Sequence, residues 1–151
     1  MSENQSLIAY CGLYCGACSF RVAAQENDRR HLRAMPARYA QYQDAPMDIC
    51  PGCRHETGDA GCAIRNCARK LGLQHCGACL DFPCARIREF NGDGTPHHAA
   101  AIENLKRLKE VGAEAWVEEQ KRRWTCTCGG RLSWYQQPCT KCGSADTDKR
   151  N

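Results

Sequence analysis

The chain has 151 residues, room for one domain or two small ones, and a net charge of +4. It contains 14 Cys but only three Phe and three Trp, so the apolar core is thin and needs additional cross-links. The sequence has no 18-residue apolar stretch and no signal-peptide pattern, which excludes a membrane span and predicts a cytoplasmic protein. Because cytoplasmic thiols stay reduced, we interpret the patterned cysteines as metal ligands rather than disulfides.

Helices are predicted through much of the N-terminal part. The segment from Ser19 to about Met35 has helical character, and Asn27-Asp28 is a candidate break within it. Gly72 and Gly92 are expected to end two of the later helices. Three shorter helices are predicted, over Pro36 to Gln43, Cys62 to Leu71 and Pro83 to Phe90.

Ten cysteines lie between Cys11 and Cys84, and three of their groups contain a CxxC knuckle that can give two thiolates to one ion. Ten is not a multiple of four. Either two cysteines are left out, or histidines complete a third site, or two ions share a bridging sulfur. His55 and His75 lie next to cysteine groups and are the candidate supplements. The predicted ligands are Cys11, Cys15 and Cys18, then Cys50 and Cys53, then Cys62 and Cys67, then Cys76, Cys79 and Cys84.

Spacing alone does not separate zinc from iron–sulfur clusters. Cys18, Cys62 and Cys84 lie near predicted helix starts, where the thiolate form is favoured. The spacing C-x3-C-x2-C at the first group is also used by radical enzymes that hold a four-iron cluster. Ala17 replaces the aromatic residue usual in that motif, and the required barrel of strands and helices is not found. We therefore predict several zinc ions, with an iron–sulfur cluster or thiol redox chemistry as the alternative.

The turn-rich segment 91–98, NGDGTPHH, is interpreted as a boundary. Thr95 is expected to cap the helix that Pro96 begins, and Gly112 is expected to end it. A second helix is predicted from about Ala113 to Arg123. The apolar positions of this helical pair are Ile102, Leu105 and Leu108, then Trp116, Val117 and Trp124.

The last cysteine group reads Cys126-x-Cys128-Gly-Gly and then, after a gap of ten residues counted from Cys128, Cys139-x-x-Cys142-Gly. Two close cysteine pairs separated by a hairpin-length stretch can converge on one tetrahedral ion. The glycines let the backbone turn tightly and direct its amides towards the thiolates. The first pair is one residue shorter than a CxxC knuckle, so its turn must differ. The pattern predicts a β-type zinc ribbon.

Basic and aromatic residues surround the predicted ribbon, and such side chains can contact phosphates and stack on bases. The plainer interpretation is a solvated basic face whose aromatic residues pack the small core. A protein or nucleic-acid partner therefore stays open for this part of the chain, and no membrane partner is expected. The residues concerned are Lys121, Arg122, Arg123, Arg131 and Lys141, with Trp124, Trp134 and Tyr135.

Four cysteine motifs carry a resemblance to a known family. YCGLYCGAC at 10–18 resembles the opening of a cysteine-rich prokaryotic family catalogued as a domain of unknown function (DUF3795). CPGC at 50–53, CAIRNCA at 62–68 and CGACLDFPC at 76–84 follow in the same order. The resemblance covers about residues 8–90, and the segment before the ribbon is similar to the tail of many members. It implies metal binding through these cysteines, and no reaction.

One position departs from this resemblance. Relatives often have a further cysteine just before the position of Cys62, where this chain has Asp59 and Ala60. The ligand set at Cys62 therefore differs from the one that the resemblance implies.

Taken together, the sequence predicts a small metal-stabilised α+β protein. Its parts are a helix-rich cysteine-cluster domain at 1–92, a helical connector at 93–123 and a C-terminal ribbon at 124–146. The sequence contains no Ser/His/Asp order, HExxH, P-loop or Rossmann pattern, so it does not indicate an enzyme. The predicted function is a zinc-binding protein whose metal sites are mainly structural, acting as a binding or interaction module.

Overall fold

A computed structural model describes residues 1–48, 50–56, 61–136 and 138–145. These residues form short helices joined by turns, and none of the helices in this part is long and apolar enough to cross a membrane. Short 3₁₀ segments occur at Cys15–Ala17, Ala37–Tyr42, Cys76–Ala78 and Pro96–Ala100. The α-helices are α1 (Glu3–Ser6), α2 (Ser19–Glu26), α3 (Arg30–Arg33), α4 (Ala63–Lys70), α5 (Ala85–Asn91), α6 (Ala101–Val111) and α7 (Ala113–Arg123).

The chain forms two compact units, each made of two separate stretches of sequence. The first unit comprises Met1–Cys15 and Pro51–Val117, and the second comprises Gly16–Cys50 and Glu118–Asn151. The boundary between the units therefore falls inside α7. Each unit therefore combines two stretches that are separated in the sequence.

The predicted β-type ribbon, and with it the α+β class, is wrong. In the described part of 124–145 there is no strand, only one isolated bridge between Thr125 and Arg131. The Cys126 N–H donates to the Gly130 carbonyl at 2.8 Å, and Gly129 between them has a φ of +85°. The residues that follow Thr125 therefore form a tight turn around the short CxC pair, and they do not extend the bridge between Thr125 and Arg131 into a strand pair. The described protein is therefore helix-rich, without a sheet.

Most of the local helix predictions are confirmed. The break at Asn27-Asp28 is present, because α2 ends at Asn27 in a left-handed conformation with a φ of +50°. Gly112 ends α6 with a φ of +84°. The N-cap residues of α2, α4 and α5 are the three cysteines predicted near helix starts, Cys18, Cys62 and Cys84.

The predicted cap at Thr95 is wrong. Its side chain makes no capping hydrogen bond, and a 3₁₀ segment over Pro96–Ala100 precedes α6. The Asp93 carboxylate instead accepts a hydrogen bond from the Thr95 N–H at 2.8 Å. The chain therefore turns at Asp93 before it becomes helical.

The core of the first unit forms around α6. Leu105 and Leu108 on its predicted apolar face are fully buried, as is Trp116 at the start of α7. Tyr14 packs edge-on against Trp116, with ring centroids 6.1 Å apart. This core places the turn that contains Cys11 next to the C-terminal helices.

The described residues of the second unit include two small apolar clusters. One contains Ala23 of α2 and Leu32 of α3, with Met35. The other consists of Leu132 and two of the cysteines, with Trp124 packed against them, and is described below. Small cores of this kind need a further source of stability.

Candidate metal centre

Four cysteines of the second unit converge on one point. The ligand atoms of Cys126, Cys128, Cys139 and Cys142 all lie within 4.8 Å of one another. The Cys126–Cys142 and Cys128–Cys139 sulfur separations are 3.6 and 3.8 Å. A tetrahedral ion with metal–sulfur bonds of about 2.3 Å places its sulfurs about 3.8 Å apart, so this cluster can hold one ion. A disulfide would instead require about 2.05 Å.

Both turns of this cluster are organised by glycines and backbone hydrogen bonds. The Gly130 N–H donates to the Cys128 sulfur at 3.3 Å. The Cys139 carbonyl accepts from the Gly143 N–H at 2.9 Å, and Gly143 has a φ of +74°. Amides directed at sulfur stabilise the thiolate, which is the form that binds metal.

One face of the cluster is buried and the other meets solvent. Cys126 and Cys139 are buried and pack with Leu132, whereas Cys128 and Cys142 are exposed. The cysteines therefore substitute for apolar core in this part of the second unit. Metal can reach the cluster through the exposed pair.

Two thiols of this cluster, those of Cys126 and Cys142, have pKa values that are shifted in opposite directions. A hydrogen bond from the Cys128 backbone lowers the pKa of Cys126 to about 6, against the opposing effect of desolvation. For Cys142 the largest effect, a hydrogen bond from the Ser144 backbone, lowers the pKa, but contacts with the neighbouring thiols outweigh it and raise the pKa to about 11.

The N-terminal cysteines are distributed between the units. Within the described residues, only the C-terminal cluster brings three or more such ligands within 4.8 Å of one another. In the first unit, burial is the main cause that raises the pKa of the Cys11 thiol to about 12. The charges of three other thiols also raise this pKa. Those thiols belong to Cys53, Cys62 and Cys76.

Cys76 has a similar environment. Burial is the main cause that raises its pKa to about 12, followed by the charges of further thiols. In decreasing order of effect, these are Cys84, Cys67, Cys79 and Cys62. The charge of the Cys62 thiol acts on both Cys11 and Cys76.

Two arginines that the sequence patterns missed hold these segments. Arg65 of α4 is only 4% exposed, and its guanidinium donates to the carbonyls of Cys53 at 2.8 Å and His55 at 2.7 Å. Arg54 donates to the Ile8 carbonyl at 2.8 Å and also to the Gln74 carbonyl. The contacts seen for Arg54 and Arg65 among the described residues are with backbone oxygens, and such contacts leave no charge pattern in the sequence.

The two candidate histidines have different environments. The carbonyl of His55 binds Arg65, and its N–H donates to the Gly52 carbonyl at 3.2 Å. His75 has a buried Nδ1 without a hydrogen-bond partner among the described residues. Desolvation, followed by the charge of Arg54, lowers the pKa of His75, so its ring is neutral at pH 7. Asp59 and Ala60, the positions that depart from the resemblance, lie outside the described residues.

The basic residues near the C-terminal cluster divide into two groups. Lys121 pairs with Glu118 at 3.0 Å, and Arg131 donates to the Gly16 carbonyl at 2.6 Å. Arg122 and Arg123 instead line a cavity of about 600 Å³ together with Glu119, Thr125 and Cys126.

A helix-rich fold with a four-cysteine cluster defines a cysteine-rich protein with a site able to hold a metal ion. The chain belongs to the family described as "Protein of unknown function (DUF3795)", whose model matches residues 7–89. No curated protein and no solved structure matches the chain. Family membership confirms the resemblance noted in the sequence, and the match does not extend to the C-terminal cluster.

Proposed function

We propose that this protein binds zinc, with one structural ion at the C-terminal cluster and further ions at the N-terminal cysteines. The observation that supports this best is the pair of sulfur separations of 3.6 and 3.8 Å, which match a tetrahedral ion. Four thiolates favour zinc among divalent ions, and they leave no open position for a water molecule. The proposed role of this ion is therefore structural rather than catalytic.

The ion would join two turns that have little else to hold them together. The turn at Cys126 and the turn at Cys139 share a small cluster with Leu132 and Trp124. Binding free energy at such a site adds directly to the free energy of unfolding, because the unfolded chain has no preformed site. We place the protein in the reducing cytoplasm, where its thiols remain available to metal. The biochemical role that fits is a binding module stabilised by metal.

Elemental analysis of untagged protein purified without oxygen tests this proposal. The wild-type chain is compared with Cys139→Ser and with the control Thr127→Ser, which alters an exposed residue between two ligands and keeps its hydroxyl. We expect Cys139→Ser to lose about one zinc ion per chain and Thr127→Ser to lose none. An unchanged zinc content in Cys139→Ser would refute the C-terminal centre. Iron and a coloured sample would refute zinc in favour of iron–sulfur or single-iron chemistry.

A second candidate function, nucleic-acid binding, is supported by the cavity beside Cys126. Arg122 and Arg123 line it, and neither guanidinium forms an ion pair with any described residue. The Arg123 guanidinium lies over the Trp124 ring, 5.4 Å from its centroid, and its Nε is buried without a hydrogen-bond partner among the described residues. A guanidinium over an aromatic ring, with a second guanidinium lining the same cavity, suits contact with a phosphate and a stacked base.

Binding of a fluorescent single-stranded RNA, measured at several salt concentrations, tests this candidate. We expect Arg122→Gln/Arg123→Gln to weaken binding and to reduce its salt dependence by about two counterions. The control Lys109→Gln removes an exposed charge from α6 in the first unit. Equal loss in the control, or affinity no greater than that of an unrelated basic protein, would reject nucleic-acid binding.

A further inference from the structure

We infer that Cys142 of the C-terminal cluster is a site of oxidation by hydroperoxides, and that Cys126 closes the resulting disulfide and releases the ion. This inference rests on the proposed zinc ion at this cluster and adds a chemical reaction to it. All the residues that it requires belong to the second unit. It gives different roles to cysteines that are equivalent as zinc ligands.

The four ligands differ in their access to solvent. Cys142 is exposed, and it lies within a run of exposed residues at 141–144. Cys126 and Cys139 are only 8% and 2% exposed. Peroxide oxidises a thiolate that it can reach, and a bound metal ion keeps its cysteine ligands in the thiolate form. The exposed ligands are therefore the ones that a peroxide can attack.

Backbone covers the other exposed ligand, Cys128. The Gly130 N–H donates to the Cys128 sulfur at 3.3 Å. A Cβ at Gly130 would lie 3.2 Å from this sulfur and 2.6 Å from the sulfur of Cys139, so the Gly130 backbone packs against both. This contact shields the Cys128–Cys139 pair on one side. Cys142, on the exposed turn, is the ligand that we expect to react first.

The partner of Cys142 is set by distance. Its sulfur is 3.6 Å from that of Cys126, and the remaining pair, Cys128 and Cys139, is 3.8 Å apart. Each close pair joins an exposed cysteine to a buried one. The buried sulfur of Cys126 is protected from peroxide but lies next to the oxidised one. A disulfide requires the two sulfurs to approach by only about 1.5 Å.

The reaction consumes one hydroperoxide and two thiolates. With hydrogen peroxide, the Cys142 thiolate attacks the O–O bond, an S–O bond forms and hydroxide leaves, which gives a sulfenic acid. The Cys126 thiolate then attacks the Cys142 sulfur, the S–S bond forms and a second hydroxide leaves. Each hydroxide takes up a proton and becomes water. The two electrons that reduce the peroxide come from the two thiolates.

The disulfide removes two of the four zinc ligands. Cys128 and Cys139 alone do not complete a tetrahedral site, so the ion is released. The disulfide then joins the turn at Cys126 to the turn at Cys142 in place of the metal. Reduction by thiol–disulfide exchange restores the ligand set. The cluster therefore exchanges a metal cross-link for a covalent one when an oxidant is present.

Peptide mapping of the full chain tests the assignment, because trypsin separates the relevant cysteines. Zinc-loaded protein is treated briefly with hydrogen peroxide, its free thiols are alkylated, and the digest is analysed by mass spectrometry without reduction. The peptides are 124–131 with Cys126 and Cys128, 132–141 with Cys139, and 142–148 with Cys142.

We expect peptide 124–131 to be joined to peptide 142–148, with fragmentation placing the bond at Cys126 and with Cys139 alkylated. A bond between Cys139 and Cys142 would mean that the knuckle closes on itself and would overturn the assignment. An alkylated Cys142 beside an oxidised Cys128 would overturn it as well.

Histidine variants separate oxidation from loss of the ion, since three cysteines and one histidine still form a zinc site. In Cys142→His we expect the oxidation of Cys126, followed as loss of its alkylation, to be at least about 10-fold slower than in the wild type. Cys128→His is the matched control at the other exposed ligand and should keep the wild-type rate. Equal rates in the two variants would refute the role of Cys142.

Zinc content before oxidation, compared with that of Cys139→Ser, tests the proposed function separately. A wild-type chain that holds the C-terminal ion but forms no Cys126–Cys142 disulfide would overturn this inference and leave the zinc site intact. A wild-type chain with no more zinc than Cys139→Ser would overturn the proposed function itself.

Discussion

Gly130 lies directly against the sulfur of Cys139: a Cβ at position 130 would be 2.6 Å from it and 3.2 Å from the sulfur of Cys128. Ligand sulfurs that close to a backbone leave no room for a side chain. The second glycine of the CxCGG motif is therefore required by space rather than by an unusual backbone dihedral angle, whereas Gly129 beside it has a φ of +85° and open surroundings.

Replacing Gly130 with Ala should weaken metal binding at the C-terminal centre. The added methyl group must displace a ligand sulfur, so we expect the zinc dissociation constant to rise about 10- to 100-fold. Competition with a chromophoric chelator measures it. Gly129→Ala is the control, because it adds backbone strain of about 1 kcal/mol but places no atom near a sulfur. A stronger effect of Gly129→Ala than of Gly130→Ala would show that the space beside Cys139 is unimportant.

The four residues of this cluster could be predicted from sequence, but the conformation around them could not. Spacing and glycines identify Cys126 and Cys139 as members of pairs that can meet. The missing residue in the first pair changes the turn, and the chain after it follows contacts with distant segments. The Trp134 N–H, for example, donates to the Ala17 carbonyl at 3.0 Å. A hydrogen bond across more than a hundred residues has no local signature.

Gly12→Ala should strongly destabilise the first unit. Gly12 has a φ of +89°, and its added Cβ would meet Leu105 Cγ at 2.6 Å and the Ala101 carbonyl oxygen at 2.9 Å. Backbone strain and overpacking together should reduce the free energy of unfolding by about 2–4 kcal/mol. Gly94→Ala is the matched control, since Gly94 has a φ of +85° but no atom within 4 Å, and it should cost about 1 kcal/mol. Urea unfolding of the zinc-loaded variants gives both values, and equal losses would contradict the packing argument.

Arg65→Ala should also destabilise the first unit. The substitution leaves the carbonyls of Cys53, His55 and Glu56 without their buried donor, and we expect a loss of about 2–4 kcal/mol in the free energy of unfolding. Arg69→Ala, at an exposed position one turn later in α4, should change it by no more than about 0.5 kcal/mol. Thermal unfolding followed by circular dichroism compares the two, and similar shifts in Tm would disprove a special role for Arg65.

The burial of Arg65 and its hydrogen bonds to the Cys53 loop could not be predicted from the sequence. The cap at Cys62 and the stop at Gly72 correctly bound α4, because these signals act within one turn of the helix. The neighbouring sequence of a buried arginine does not differ in kind from that of an exposed one. Only the tertiary arrangement, in which the Cys53 loop passes over α4, distinguishes Arg65 from Arg69.

Acid should destabilise the second unit through His31. This residue is fully buried on α3, with its Nδ1 2.7 Å from the Ser133 hydroxyl. Desolvation lowers the pKa of His31 below the ordinary 6.5. The charges of Asp28 and Glu26 oppose this shift, whereas those of Arg30 and Arg131 add to it. The unfolded chain therefore binds a proton at a higher pH than the folded chain does. The stability that the neutral ring provides is complete well above pH 6.5 and is lost as the pH falls through that value.

Urea unfolding between about pH 6 and pH 7.5, with saturating zinc, measures this effect. The wild-type free energy of unfolding should decrease more steeply towards acid than that of His31→Gln, which keeps a polar side chain but cannot titrate. Ser133→Ala retains the titrating ring and should keep the steeper slope even though it loses the hydrogen bond. Since zinc release contributes equally to all three proteins, the difference between slopes isolates His31. Identical slopes for wild type and His31→Gln would mean that the buried ring does not control the acid response.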